Sequence, residues 1–383
     1  MAERTNSESV QNLLSQLVEI NSVSKNEAPI IDFLERTMTE RGFDVKRQKI
    51  PGEKRKNLLC EKGSGASILF YGHVDTVDTT QHSEESESWK TNPFQLEEGA
   101  GGRLYGLGAS DMKGGIAAFI EASSMSHTPV KILLGVDEEE DSAGAWAVVN
   151  QQPDFFNGIN LIVSAEPSFG LKPTQITSGR TGRVLYDAHF KGKSEHIMKY
   201  DEAIDSIEKL AFFANQLYSK RDISGTFASN MTILQIRKVE GAAIGMSVCG
   251  DASAVIEALL GPEDNQEDIL AFLKTLTKDK ENDEITIRPR KTPYLKGYQF
   301  TDFPESDIIA KVIKNKFGSE MELVFRRSVA DDNILATLNI PVITWGPQGG
   351  NEHKPNEYIE SQSLVNQVDM YKQFLDRIGE TNE

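Results

Sequence analysis

Three short apolar runs set the terms on which this chain can fold: Ser67–Tyr71 (SILFY), Val130–Val136 (VKILLGV) and Asn160–Val163 (NLIV). Each is the length of a buried strand and too short for a core helix. Helical stretches separate them, from about Gly115 to Ser126 and from Ala143 to Asn150. Strand, helix, strand, helix, strand predicts an α/β fold, three layers around a largely parallel sheet. Ligands in such sheets sit in the loops beyond the carboxyl ends of the strands. Two helices precede this pattern. Val10, Leu13, Leu14, Leu17 and Val18 mark the first, and Ile30, Ile31, Leu34 and Met38 the second, with a stop at Gly42.

From Val184 the texture changes. Val184–Phe190 alternates like a half-exposed strand, and an amphipathic helix is expected over Asp201–Lys220, with Ile204, Ile207, Leu210, Phe213 and Leu217 on one stripe. Strands at Met231–Val239 and Ser253–Leu260 and a helix over Glu267–Leu276 follow, closed by the polar stretch Thr277–Glu284. Strand–helix–strand–strand–helix–strand is the ferredoxin-like arrangement. Beyond Tyr294 the first texture resumes, with a helix near Ser306–Lys316, a strand at Ile340–Trp345 and a final helix near Ser361–Ile378. The expected organisation is one domain over residues 1–183 and 291–383, interrupted by an inserted ferredoxin-like α+β domain over 184–290.

Composition narrows the function. With 41 basic and 58 acidic side chains the 383-residue chain carries −17, so nucleic acid and anionic membrane are poor partners. No apolar run approaches the roughly 18 residues of a membrane span. The N-terminus lacks a basic-then-apolar signal. Two cysteines, Cys60 and Cys249, make neither a disulfide framework nor a cysteine-rich zinc module. A reducing, cytoplasmic compartment is expected.

Five polar stretches hold the chemistry. Gly72-His73-Val74-Asp75 follows the first strand; on its own it reads equally as a turn histidine with a capping Asp. Tyr105–Gly115 contains Asp111 in Gly108-Ala109-Ser110-Asp111-Met112-Lys113-Gly114-Gly115; it lacks the phosphate-loop pattern, and Asp111 is either a helix cap or a carboxylate facing a cation. Asp137-Glu138-Glu139-Glu140-Asp141 follows the second strand, a solvated loop unless positive charge sits against it. Glu166 follows the third strand, and His353 follows Gly349-Gly350 late in the chain. Together His73, Asp111, Glu139, Glu166 and His353 supply two imidazoles and three carboxylates from loops gathered at one sheet edge. That donor set suits Zn²⁺, with Co²⁺ or Mn²⁺ as alternatives, and leaves one carboxylate to bridge two ions.

The order H-x-D, W-x3-P-F (Trp89, Pro93, Phe94), G-x-G-x-x-D-M-K-G-G, D-E-E, E-P-S and G-G-N-x-H resembles the M20 family of dinuclear metallohydrolases. That group includes acetylornithine deacetylase, succinyl-diaminopimelate desuccinylase, aminoacylase and glutamate carboxypeptidase. The resemblance implies a catalytic domain interrupted by a lid or dimerisation domain. It further implies that Asp111 bridges two ions, that His73 and Glu166 complete one site and Glu139 and His353 the other, and that Asp75 supports His73. Glu138 would be the general base. The acidic run allows Glu138–Glu139 or Glu139–Glu140 as the base–ligand pair; the four residues before Gly144-Ala145 favour the first. Gly192–His196 resembles the family's G-x-x-x-H, so His196 would reach across a homodimer to the oxyanion, although Ile197–Tyr200 departs from the family pattern. The substrate-carboxylate arginine segment also departs, with Glu257-Ala258-Leu259-Leu260-Gly261 in its place; Asn230, Arg180, Arg183, Arg326 and Arg327 are candidate replacements. Expected activities are deacylation of a small N-acyl amino acid of the acetylornithine or acyl-lysine kind, or carboxypeptidase or dipeptidase cleavage of a short peptide. A non-catalytic metal-binding member is the third reading. The basic run Lys46–Lys56 reads as a solvated strand edge or as a docking surface for an acidic carrier.

Overall fold

The three apolar runs become the centre of one sheet. A computed structural model describes residues 2–79, 88–220, 232–277, 283–288 and 294–382. The chain begins with α1 (Ala2–Glu19), α2 (Ala28–Glu40), β1 (Asp44–Lys49), β2 (Lys56–Lys62) and β3 (Ile68–His73). Next come α3 (Gly114–Met125), β4 (Val130–Gly135), α4 (Ala143–Gln151), β5 (Leu161–Ser164) and β6 (Gln175–Arg180). It continues through β7 (Gly182–Lys191), α5 (Ser206–Ser219), β8 (Ile233–Gly241), β9 (Asp251–Leu260), α6 (Gln266–Thr275) and β10 (Asp283–Arg288). α7 (Ser306–Phe317), β11 (Val342–Thr344) and α8 (Ser361–Asn382) complete it. The chain divides into two compact units, Met1–Ser178 with Phe300–Phe325 and Ala330–Glu383, and Gly179–Gln299 with Arg326–Val329.

In the first unit the strand order is β1-β2-β4-β3-β5-β11-β6. The central four, β4, β3, β5 and β11, are parallel. β2 joins β4, β1 joins β2 and β6 joins β11 in antiparallel pairing. Alternation along β3 sends Phe70 and Tyr71 to opposite faces. Phe70 meets Phe119 of α3 and Tyr371 of α8, with centroids 5.6 and 4.8 Å away. Tyr71 donates its hydroxyl to Asp331 on the other side. Both faces are therefore covered, and every residue of β3, β4 and β5 is buried, which is why these strands read as unbroken apolar runs.

The second unit is a four-stranded antiparallel sheet in the order β8-β9-β7-β10. Numbered within the unit that is 2-3-1-4, the ferredoxin-like order. Val184, Tyr186, Ala188 and Phe190 alternate inward from β7 and pack with Phe213 and Leu217 of α5 and Ile269 and Leu273 of α6. The helix expected from Asp201 starts later. Asp205 caps it by accepting from Ile207 N–H at 2.8 Å, and Ile197–Glu202 forms a separate 3₁₀ turn. Ile204 falls before the helix and Ile207 lies within it but off its buried stripe of Ser206, Lys209, Phe213 and Leu217, and both are exposed.

Among the described residues, no helix is long and apolar enough to cross a membrane. One close approach fixes how α3 meets the sheet. A Cβ on Gly115 would stand 2.1 Å from the carbonyl oxygen of Ala165, immediately before Glu166. That neighbour is backbone and cannot swing aside. Gly115→Ala should therefore lower unfolding free energy by about 1–3 kcal/mol, read as a lower urea midpoint; an unchanged midpoint would contradict the packing described.

Candidate metal centre

Parallel strands deliver four of the five polar stretches to one edge of the sheet. His73 is the last residue of β3, Glu138 and Glu139 follow β4, Glu166 follows β5, and His353 lies in the loop beyond β11. Asp111 lies in the turn that leads into α3. It does not cap that helix, whose N-cap is Lys113, and its peptide bond to Met112 is cis.

The Asp111 carboxylate lies between two imidazoles. Its Oδ1 is 3.1 Å from His73 Nε2 and its Oδ2 is 3.2 Å from His353 Nε2. Each imidazole has a further carboxylate: Glu166 Oε1 is 3.6 Å from His73 Nε2, and Glu139 Oε2 is 3.1 Å from His353 Nε2. Donor atoms of His73, Asp111 and Glu139, and of His73, Glu138 and Glu166, gather in sets within 4.8 Å. His73 Nδ1 lies 3.0 Å from the carbonyl oxygen of Asp75. In a neutral ring that contact puts the proton on Nδ1 and leaves the Nε2 lone pair toward Asp111.

Electrostatics show what the cluster requires. Burial opposes charge on His73, yet bonds to Asp111 and Asp75 and the Glu138 charge hold it well above the ordinary imidazole range. His353 is likewise pushed up to about 11, against burial, by Asp111 and Glu139. Burial and the neighbouring Glu166 raise Glu138 well above the usual carboxylate range. Burial also works on Asp111, but its bonds to His353 and His73 prevail and pull it down. Negative charge is in excess and positive charge is retained wherever it can be. Two imidazoles and three carboxylates, with Asp111 between the two imidazoles, fit a pair of small divalent cations.

The acidic run does not act as one block. Asp137 turns back into the protein, where its Oδ1 takes Arg55 Nη1 and its Oδ2 accepts from Ala143 N–H at 3.1 Å. Glu140 pairs with Lys25 at 2.7 Å on the surface. Glu138 and Glu139 face the cluster, and their backbone N–H groups donate to Asp75 Oδ1 and Oδ2 at 3.2 and 3.1 Å. Asp75 thus meets His73 mainly through its backbone carbonyl, while its carboxylate, 3.6 Å from His73 Nδ1, holds the loop. Ser24 Oγ adds a bond to the same carboxylate at 3.1 Å.

Glu357 is a residue that sequence reasoning passed over. Its Oε1 accepts from the backbone N–H of Ser110 and Asp111 at 2.9 and 2.8 Å, and its Oε2 from Gly108 N–H at 2.8 Å. Gly108 has φ +73° and a Cβ there would meet Thr76 at 2.6 Å, so only glycine suits the turn. Burial and the Asp111 charge push Glu357 up to about 8 despite those three bonds. The only sequence signal was its place four residues after His353.

His196 belongs to the second unit. It is exposed, and its Nδ1 accepts from Met198 N–H at 3.2 Å. In the same unit Arg183 and Arg237 are bound to Glu257, and Arg180 donates to Ser328 Oγ at 2.8 Å. Asn230 lies outside the described residues.

A family model described as peptidase family M20/M25/M40 matches residues 69–377. A probable succinyl-diaminopimelate desuccinylase of Staphylococcus aureus strain N315 is 23% identical over 94% of this chain and 95% of its own length. An acetylornithine deacetylase of Salmonella heidelberg strain SL476 is 25% identical over 90% of this chain and 89% of its own. Among solved structures, a Bacillus cereus aminopeptidase matches with a TM-score of 0.77 at 20% identity, over 97% of this chain and 99% of that one.

Removing the Glu357 carboxylate frees three buried N–H groups around Asp111. Glu357→Ala should therefore weaken divalent-ion binding about 10–100-fold, measured by competition with a chromophoric chelator. Wild-type affinity in a folded variant would contradict this support.

Proposed function

The chain belongs to peptidase family M20/M25/M40, and on that premise we propose that it hydrolyses amide bonds using two divalent cations at the Asp111 cluster. The observation that carries this reading is the Asp111 carboxylate, one oxygen toward each imidazole, each imidazole with its own further carboxylate. His73, Glu166 and Asp111 would hold one ion; His353, Glu139 and Asp111 would hold the other. Zinc is the proposed ion, with cobalt or manganese as substitutes. Bound there, the ions would polarise the scissile carbonyl and acidify the attacking water.

The protein's own groups do the rest. Glu138 lies beside His73 and Glu166 and is proposed as the general base. It takes a proton from water as the oxygen–carbon bond forms, and passes it to the departing nitrogen as the carbon–nitrogen bond breaks. Asp75 orients Glu138 and Glu139 through their backbone. His196 is proposed to donate to the developing oxyanion in the site of a second copy. The bond from Met198 N–H to its Nδ1 supports this, because in a neutral ring it leaves the N–H on Nε2.

Residues 184–290 are proposed as the lid and dimerisation domain within a catalytic domain formed by 1–183 and 291–383. Ile197, Met198, Tyr200, Ile244 and Met246 are all exposed there. Ile197 N–H bonds Met246 O at 2.8 Å, which brings the two stretches together as one apolar surface suited to burial against a second copy. Cys60 and Cys249 are buried free thiols, in keeping with a reducing cytoplasmic setting. The proposed substrate is a small N-acyl amino acid, of the acetylornithine or acyl-lysine kind. The names of the two curated relatives, a desuccinylase and a deacetylase, support that choice, while the aminopeptidase name of the similar solved structure supports the alternative of carboxypeptidase or dipeptidase cleavage.

Chelation should abolish hydrolysis, and Zn²⁺ or Co²⁺ should restore it. Glu138→Gln should retain wild-type ion content while turnover falls by about 10²–10⁴-fold; near-normal turnover would remove Glu138 from the base role. A panel of N-acyl amino acids and dipeptides on the ion-loaded protein decides the substrate class, and faster dipeptide cleavage would reverse the choice made above.

A further inference from the structure

The basic run Lys46–Lys56 contains one arginine that is not a surface residue. Lys46 reaches Gln152, and Arg47 pairs with Asp32 and Glu35 on the protein surface. Arg55, in the turn between β1 and β2, has a side chain only 13% exposed. Its Nη1 donates to Glu27 Oε1 at 3.0 Å and to Asp137 Oδ1, and its Nε to Glu53. Glu27 and Asp137 are both buried. One guanidinium therefore ties together the start of α2, the β1–β2 turn and the loop that follows β4.

We propose that Arg55 is the positioning residue for the loop that presents Glu138 and Glu139, an inference that rests on the two-ion reading of that loop. Asp137 adopts φ +72°, a left-handed conformation that L side chains rarely take unless their surroundings enforce it. The enforcement is visible on every polar atom of its acid and carbonyl groups. Arg55 holds Oδ1, Ala143 N–H holds Oδ2 at 3.1 Å, and Ser142 N–H holds the carbonyl at 2.6 Å. With Asp137 fixed, the next two residues direct their N–H groups to Asp75. Glu139 then reaches His353. Arg55 itself touches none of the ion-binding groups, so its influence passes through Asp137. Lysine cannot replace it, because a single ammonium lacks the planar fork that serves Glu27, Glu53 and Asp137 together.

The test compares wild type, Arg55→Lys and Arg47→Ala as full-length protein titrated with Co²⁺, reading affinity by chelator competition, the visible spectrum of the Co²⁺-loaded protein, and thermal melting. Arg55→Lys should bind Co²⁺ about 10–100-fold more weakly with an altered spectrum, while Arg47→Ala matches wild type. A variant that melts lower yet keeps wild-type affinity and spectrum would show Arg55 to be merely structural and overturn the proposal. Should Arg55→Lys fail to fold, Asp137→Asn carries the same readouts. It keeps an amide oxygen to accept from Ala143 N–H and turns an NH₂ group toward Arg55, so that the charged bond is lost, and wild-type values there overturn the proposal equally. A wild-type protein that takes up no Co²⁺ overturns the two-ion reading itself. Two ions in wild type with an unchanged Arg55→Lys overturn only the role of Arg55.

Discussion

Asp111 shares its carboxylate between two imidazoles at the edge of a sheet where Glu138, Glu139 and Glu166 also gather. Two like charges 4 Å apart repel by about 4 kcal/mol at protein-like screening, a large fraction of the net stability of a domain. Such a cluster persists only if the backbone that carries it cannot relax and if positive charge is close by. The first condition is met by parallel strands buried on both faces, with Phe70 against α3 and α8 and Tyr71 against Asp331. The second is met by His73 and His353, and in the proposed working state by two cations.

Support for the cluster comes from backbone amides as well as side chains. Glu357 gathers the amides that lead into Asp111, and Asp75 gathers those of Glu138 and Glu139. Both are buried carboxyls, and in each the two oxygens are engaged by backbone donors. The acidic run solves its repulsion by division. Arg55 takes Asp137, Lys25 takes Glu140, and Glu138 and Glu139 face the cluster. Negative charge is thereby concentrated where a cation would bind and offset where none would.

Much of this was legible in the sequence. The apolar runs marked β3, β4 and β5 because strands buried on both faces leave no polar alternation, and the residues just after each run were the ones brought together at the sheet edge. His73, Glu139, Glu166 and His353 were read together because imidazoles and carboxylates recur after the apolar strands, and Asp111 joined them as a carboxylate at the entry to a helix. What stayed hidden depends on tertiary approach. Nothing local distinguishes Glu357 from any carboxylate near a histidine; its meaning lies in amides almost 250 residues earlier in the chain. Arg55 looked like one more solvated base in a basic run, and only the fold carries it to Asp137. The late start of α5 was readable in principle, since Asp205 is a ready cap, but the apolar stripe beginning at Ile204 outweighed it.

The central claim is that Asp111 lies between two cations, each completed by one histidine and one glutamate. Anomalous diffraction from crystals of the protein loaded with Zn²⁺, recorded on both sides of the zinc edge, tests it most directly. The account predicts two peaks about 3.5–4 Å apart, one beside His73 and Glu166 and the other beside His353 and Glu139, with one Asp111 oxygen directed at each. A single peak, or two peaks that leave Asp111 without an ion on either oxygen, would contradict it.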